Sequence, residues 1–170
     1  MRLLALITVF LVPFSFVEQQ TAPFQVAEAS IASIESELAA RRLSCHALVD
    51  QYLRRVDAYD QTGPALNAIV QINSNARQQA DNLDRRMAAS GPVGPLHCIP
   101  VIVKDNFETI GLQSAAGSLA MQGFVSTKDA FLVKRIKDAG AIVLAKSNMM
   151  SATRRSSSYT KEAGLRGLVK

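Results

Sequence analysis

An α/β protein with a parallel strand pair is what this sequence predicts. Two short, almost continuous apolar runs, residues 99–103 (IPVIV) and 141–145 (AIVLA), have the length and content of strands buried on both faces. Between them lie a Gly-punctuated stretch and an amphipathic segment (Phe131, Leu132, Arg135, Ile136, Ala139) that stops at Gly140. Strand, loop, helix and strand in that order form a βαβ-like unit, and the two strands of such a unit pair in parallel.

The elements upstream are read in chain order. Ile31, Ile34 and Leu38 recur at helical spacing before Arg41 and Arg42. Ser44 is placed as the N-cap of a second helix, whose apolar face is Leu48, Val49, Tyr52, Leu53, Val56 and Tyr59 and which ends before Gly63-Pro64. Residues 66–72 (LNAIVQI) are β-rich and predict a strand. Asn73 is placed to cap a third helix with the stripe Ala76, Ala80, Leu83 and Met87. Gly91-Pro92 and Gly94-Pro95 make a turn-rich connector. Residues 107–125 show no period and read as loop or short helical pieces. Ser126 followed by Asp129 resembles a capping box for the last helix. No internal repeat is present.

Composition narrows the function classes. The chain has 170 residues, 48% apolar, 19% charged and 6% aromatic, with no Trp. That excludes a disordered acidic tail, a collagen-like fibre and a disulfide-dense mini-protein. The formal charge is +5, but residues 151–170 carry a net +4 and residues 23–150 only +1. The near-neutral body argues against a nucleic-acid footprint. Met1 and Arg2 precede an apolar run, residues 3–16 (LLALITVFLVPFSF), which reads as a signal peptide and predicts export. The run is shorter than the roughly 20 apolar residues that span a bilayer, so no stable membrane span is expected. The domain plan is therefore a signal peptide over residues 1–22, a body over 23–150 and a divergent basic tail over 151–170.

Three groups of residues invite chemistry. Lys104 ends the apolar run inside residues 94–106 (GPLHCIPVIVKDN), where α/β folds place ligand sites. A lysine desolvated there can serve as a general base, whereas one reaching solvent beside Asp105 is an ordinary strand end. Cys45 and Cys98 are too few for a disulfide framework, and a pair or two separate thiols are both open. Cys45-His46 and His97-Cys98 supply four zinc-type ligands, but neighbouring residues point in different directions and no C-x₂₋₄-C spacing exists, so no metal is expected.

The segment GPLHCIPVIVKDN resembles the core of the amidase signature family, whose usual form is G-P-L-H-G-I-P-V-x-V-K-D-N. GPALNAIVQIN with ARQQADNLD resembles the stretch before that motif, and KDAFLVKRIKDAGAIVLAKSNM the stretch after it. The resemblance covers roughly residues 31–150. It implies the N-terminal part of an α/β/α layered fold on a large mixed sheet, incomplete in this chain. It implies hydrolysis of a carboxamide by a Ser–cis-Ser–Lys mechanism, with Lys104 as the base and no metal or organic cofactor. The implied partner is a small-molecule amide, and aliphatic, aromatic, fatty-acyl and peptide amides are all compatible. Two departures stand out. Cys98 occupies the place of a glycine, and the Gly/Ser-rich segment that holds the family's two serines is not found. Ser156-Ser157-Ser158 reads as solvated loop, so neither serine is assigned, and the chain alone is expected to be inactive. A non-catalytic binding fragment or pseudo-enzyme is the alternative.

Overall fold

A computed structural model describes residues 24–149. The apolar run before residue 17 and the basic tail with its three serines lie outside the described residues.

The chain opens with helix α1, Ile31–Ala39, whose N-cap Ser30 accepts a hydrogen bond from the Ser33 N–H at 3.1 Å. Ile34 and Leu38 turn inward as expected, while Ile31 stays exposed. Helix α2, Cys45–Val56, begins where the sequence places it, with Ser44 Oγ accepting the Ala47 N–H at 3.0 Å. Its buried face is Cys45, Leu48, Val49 and Leu53. Tyr59 does not continue that face. The chain shifts to a π-helical turn over Asp57–Gln61, which rotates Tyr59 outward and Asp60 inward. The Asp60 carboxylate then accepts the N–H groups of Ala68 at 2.6 Å and Ile69 at 3.3 Å, and so sets the start of the first strand.

That strand, β1, covers Ile69–Ile72, shorter than the run of residues 66–72 suggests. Asn73 is not a helix cap. Its Nδ2 donates to the Val143 carbonyl at 2.7 Å and its N–H to the Leu144 carbonyl at 2.9 Å, which stitches the chain to the sheet, while its Oδ1 accepts the N–H of Asn75, the N-cap of α3, at 3.0 Å. Helix α3, Ala76–Ser90, follows with Ala76 and Ala80 buried. Strand β2 is Pro100–Lys104, helix α4 is Phe131–Asp138 and strand β3 is Ile142–Ser147. The expected box at Ser126 and Asp129 is a turn instead. Ser126 Oγ donates to the Lys128 carbonyl at 2.8 Å, and Asp129 accepts the Ile110 N–H at 2.8 Å. The inward residue of α4 is Val133, while Phe131 is 79% exposed.

The sheet order is β1-β3-β2, with β1 antiparallel and β2 parallel to β3. The predicted parallel pair is therefore present, inside a mixed sheet. β3 is the buried central strand, and its alternation feeds two cores. Ile142 and Leu144 join Ile34, Leu38, Leu48, Val49 and Leu53 on the face covered by α1, α2 and α3. Val143 joins Leu112 and Val133 on the α4 face. Helices on both faces of one sheet give three layers. β2 departs from the expectation of burial on both faces, because among the described residues it is an edge strand and Ile102 is 49% exposed.

Cys45 and Cys98 are joined in a disulfide with Cα atoms 5.3 Å apart. Cys98 has φ +65°, the left-handed region that favours glycine. The Cys98 N–H donates to the Gly140 carbonyl at 3.0 Å, and a Cβ on Gly140 would lie 2.9 Å from His97 Cα. The cross-link thus clamps the first residue of α2 to a tight turn two residues before β2. Closing a chain separation of 53 residues stabilises the fold by about 4 kcal/mol on loop-closure entropy. Urea unfolding with and without reductant measures that difference. With Cys45→Ser as background, Cys98→Gly should be more stable than Cys98→Ser by about 1 kcal/mol, because glycine adopts the left-handed turn without strain. Equal midpoints would show that the turn places no strain on residue 98.

Candidate active site

The carboxyl ends of β2 and β3 are the chemically dense part of the molecule. Lys104 is the last residue of β2, opposite Ser147 in the parallel register. Its side chain is exposed, and its ammonium has no hydrogen-bond or ion-pair partner among the described residues. Its backbone is held tightly. Its carbonyl accepts the Phe107 N–H at 3.0 Å, and the next residue, Asp105, donates its N–H to the Ser147 carbonyl at 3.0 Å. Within residues 24–149 the Lys104 side chain reaches solvent.

The desolvated lysine is a different one. Lys146, opposite Val103, is fully buried. Its Nζ donates to the carbonyls of Phe107 at 2.7 Å, Gln113 at 3.2 Å and Asp105 at 3.4 Å, and to Ser114 Oγ at 3.0 Å. Its nearest carboxylate oxygen, Asp105 Oδ1, is 3.9 Å away. Burial pushes the Lys146 ammonium below the usual lysine range, and the Asp105 charge partly restores it. Burial likewise raises the Asp105 carboxyl, while Lys146 and hydrogen bonds from the backbone N–H groups of Gly117, Ala116 and Ala115 pull it back down. Ala116 and Gly117 both have positive φ, which turns successive N–H groups toward one anion. Sequence reasoning misses Lys146 because it follows AIVLA at the point where a strand is expected to surface. The signal that could find it is its position opposite the last residues of β2, and that needs the register.

The four zinc-type ligands separate. His46 turns away, with its Nδ1 2.6 Å from Asp81 and its Nε2 3.6 Å from Asp50. Cys45, His97 and Cys98 do converge, with ligand atoms within 4.8 Å of one another. They do not suit a metal. The disulfide takes up both sulfurs, and His97 Nδ1 accepts the Val93 N–H at 3.2 Å. That bond places the ring proton on Nε2, the atom 3.8 Å from Cys45 Sγ that would have to face the ion.

Burial pushes the His97 imidazole below the ordinary histidine value of 6.5. A protonated Nδ1 would also lose the bond from Val93. The folded value lies under the unfolded one, so His97 favours the fold fully above about pH 6.5 and less as pH falls through the folded value. His97→Gln should lack this dependence. The stability gap between wild type and variant should narrow from pH 7 to pH 5 in urea titrations, and a gap constant with pH would contradict the buried neutral ring.

Against known proteins, residues 47–163 match the family model described as Amidase. A glutamyl-tRNA(Gln) amidotransferase polypeptide of Halorhodospira halophila is 35% identical over 136 residues, 79% of this chain and 27% of that protein. A putative amidase of Schizosaccharomyces pombe is 38% identical over 114 residues, 66% of this chain and 20% of that protein. Among solved structures, the native peptide amidase of Stenotrophomonas maltophilia superposes with a TM-score of 0.69 at 42% identity, over 72% of this chain and 25% of that one. The chain spans about a quarter of the length of the relatives it matches. No helix among the described residues is long and apolar enough to cross a membrane.

Proposed function

Since the chain belongs to the amidase family, we propose that it supplies the lysine base for hydrolysis of a carboxamide C–N bond. The observation that carries this reading is Lys104 itself. It stands at the carboxyl end of a sheet strand, at the lysine of the family-like motif, with its amine uncommitted and its backbone tied on both sides. A serine hydroxyl is a weak nucleophile until a base removes its proton. In the proposed scheme the Lys104 amine takes that proton through a bridging serine. The nucleophilic serine attacks the amide carbon, and the leaving amine departs with a proton returned along the same path. Water then releases the acid from the acyl-enzyme. Backbone N–H groups stabilise the tetrahedral oxyanion. Neither serine is assigned within residues 24–149, so the scheme draws both from outside the described residues.

Export is part of the same proposal. The buried Cys45–Cys98 link is supported best by an oxidising compartment, and the basic start and apolar run of residues 1–16 supply a route there.

The test is a hybrid enzyme in which residues 24–149 replace the matching quarter of the Stenotrophomonas maltophilia peptide amidase. The hybrid should hydrolyse amides, and Lys104→Ala should lower its kcat by at least about a thousandfold, in line with the loss of a base from a concerted triad. A hybrid that works equally well with alanine at 104 would remove Lys104 from the chemistry. A folded hybrid without activity would favour a non-catalytic role for this segment.

A further inference from the structure

We infer that Lys146 is a positioning residue for Lys104, acting through the loop that leaves β2. This rests on the reading of Lys104 as the base.

Lys146 is a buried cation that the proposed reaction does not use. Residues 105–114 leave the sheet immediately after Lys104 and fold back over the end of β3. Asp105, Thr109, Gln113 and Ser114 are all buried there, so the backbone carbonyls among them need partners inside the protein. Ladder pairing there is limited to isolated bridges, Thr109 with Leu112 and Gln113 with Val125. Lys146 answers with one group carrying three N–H donors at the end of a long stem. It gathers carbonyls from three separate points of the loop, Asp105, Phe107 and Gln113, and also meets Ser114 Oγ. The Phe107 carbonyl accepts from Ser114 Oγ and Thr109 Oγ1 as well, each at 3.1 Å, so the loop closes on a single point. Asp105 supplies the countercharge, and the N–H groups of residues 115–117 hold that carboxylate in turn.

The consequence falls on Lys104. Its carbonyl is tied to Phe107, one residue of the loop, and its neighbour Asp105 is tied to Ser147, the residue after Lys146. The backbone of Lys104 is thus bracketed between two segments that share one ammonium as their anchor. The Lys104 side chain is exposed, but its stem springs from a backbone held on both sides. Displacement of a catalytic group by about 1 Å is enough to cost about a hundredfold in rate.

The experiment has two parts and uses Lys146→Met, which keeps the apolar stem and removes every donor. In the 170-residue chain, amide hydrogen exchange at Asp105, Phe107 and Ser114 should accelerate at least tenfold while amides in the middle of α2 and α3 keep their rates. In the hybrid enzyme, kcat per active site, counted from the burst of the first turnover, should fall about a hundredfold with KM within threefold. Counting active sites separates misplacement of the base from a smaller folded fraction. Should Lys146→Met not fold, Ser114→Ala removes one contact of the ammonium, and the same local exchange with a kcat loss of about fivefold is expected. Uniform loosening of the whole chain, or a freed loop with kcat unchanged, would overturn the inference while Lys104→Ala still tests the base. If Lys104→Ala retains activity, the underlying reading fails instead.

Discussion

An ammonium buried away from water is the constraint on which the rest of this structure turns. Lys146 sits on the central strand, where neighbouring residues are apolar and tightly packed. Leaving such a charge without ligands would cost several kcal/mol. Each compensating acceptor comes from the chain just beyond Lys104, so the need to solvate one lysine shapes the loop next to the other. The same geometry explains why Asp105, the residue after the motif lysine, is turned inward and why residues 115–117 turn their N–H groups toward it. Chemistry and architecture meet at the carboxyl ends of two parallel strands, the usual place for a site in an α/β sheet.

Much of the fold is legible in the sequence because periodicity reports burial. The helices at residues 31–39 and 45–56, the strand AIVLA and the parallel pairing follow from apolar spacing and one N-capping serine. The misreadings share a cause. Asn73, Ser126 and Asp129 have the chemistry of helix caps, but each has a partner distant in sequence: the Val143 carbonyl on β3, the Glu108 carboxylate and the Ile110 N–H. Tyr59 falls on the buried face only under a constant helical pitch, and the π-helical turn breaks that condition. Short polar side chains are ambiguous until their neighbours are known.

The candidate site is half legible. Lys104 stands out through its motif, whereas Lys146 carries no local mark, since a lysine at the end of a strand is normally solvated. The register between β2 and β3, and the return of the loop over it, are long-range facts. Cys98 shows the reverse case. It stands at a glycine position, and the backbone there is left-handed, held beside a covalent tether to α2.

That tether also makes residues 45–98 a closed covalent ring containing α2, β1 and α3. The exposed stretch over residues 61–68 lies within the ring, on the connection between the π-helical turn and β1. A protease that nicks the chain there would cut the backbone without separating the pieces. Such a molecule would migrate as one species under oxidising denaturing conditions and as two after reduction. Apparent integrity of this protein in a proteolytic environment is therefore a property of its disulfide as much as of its peptide bonds.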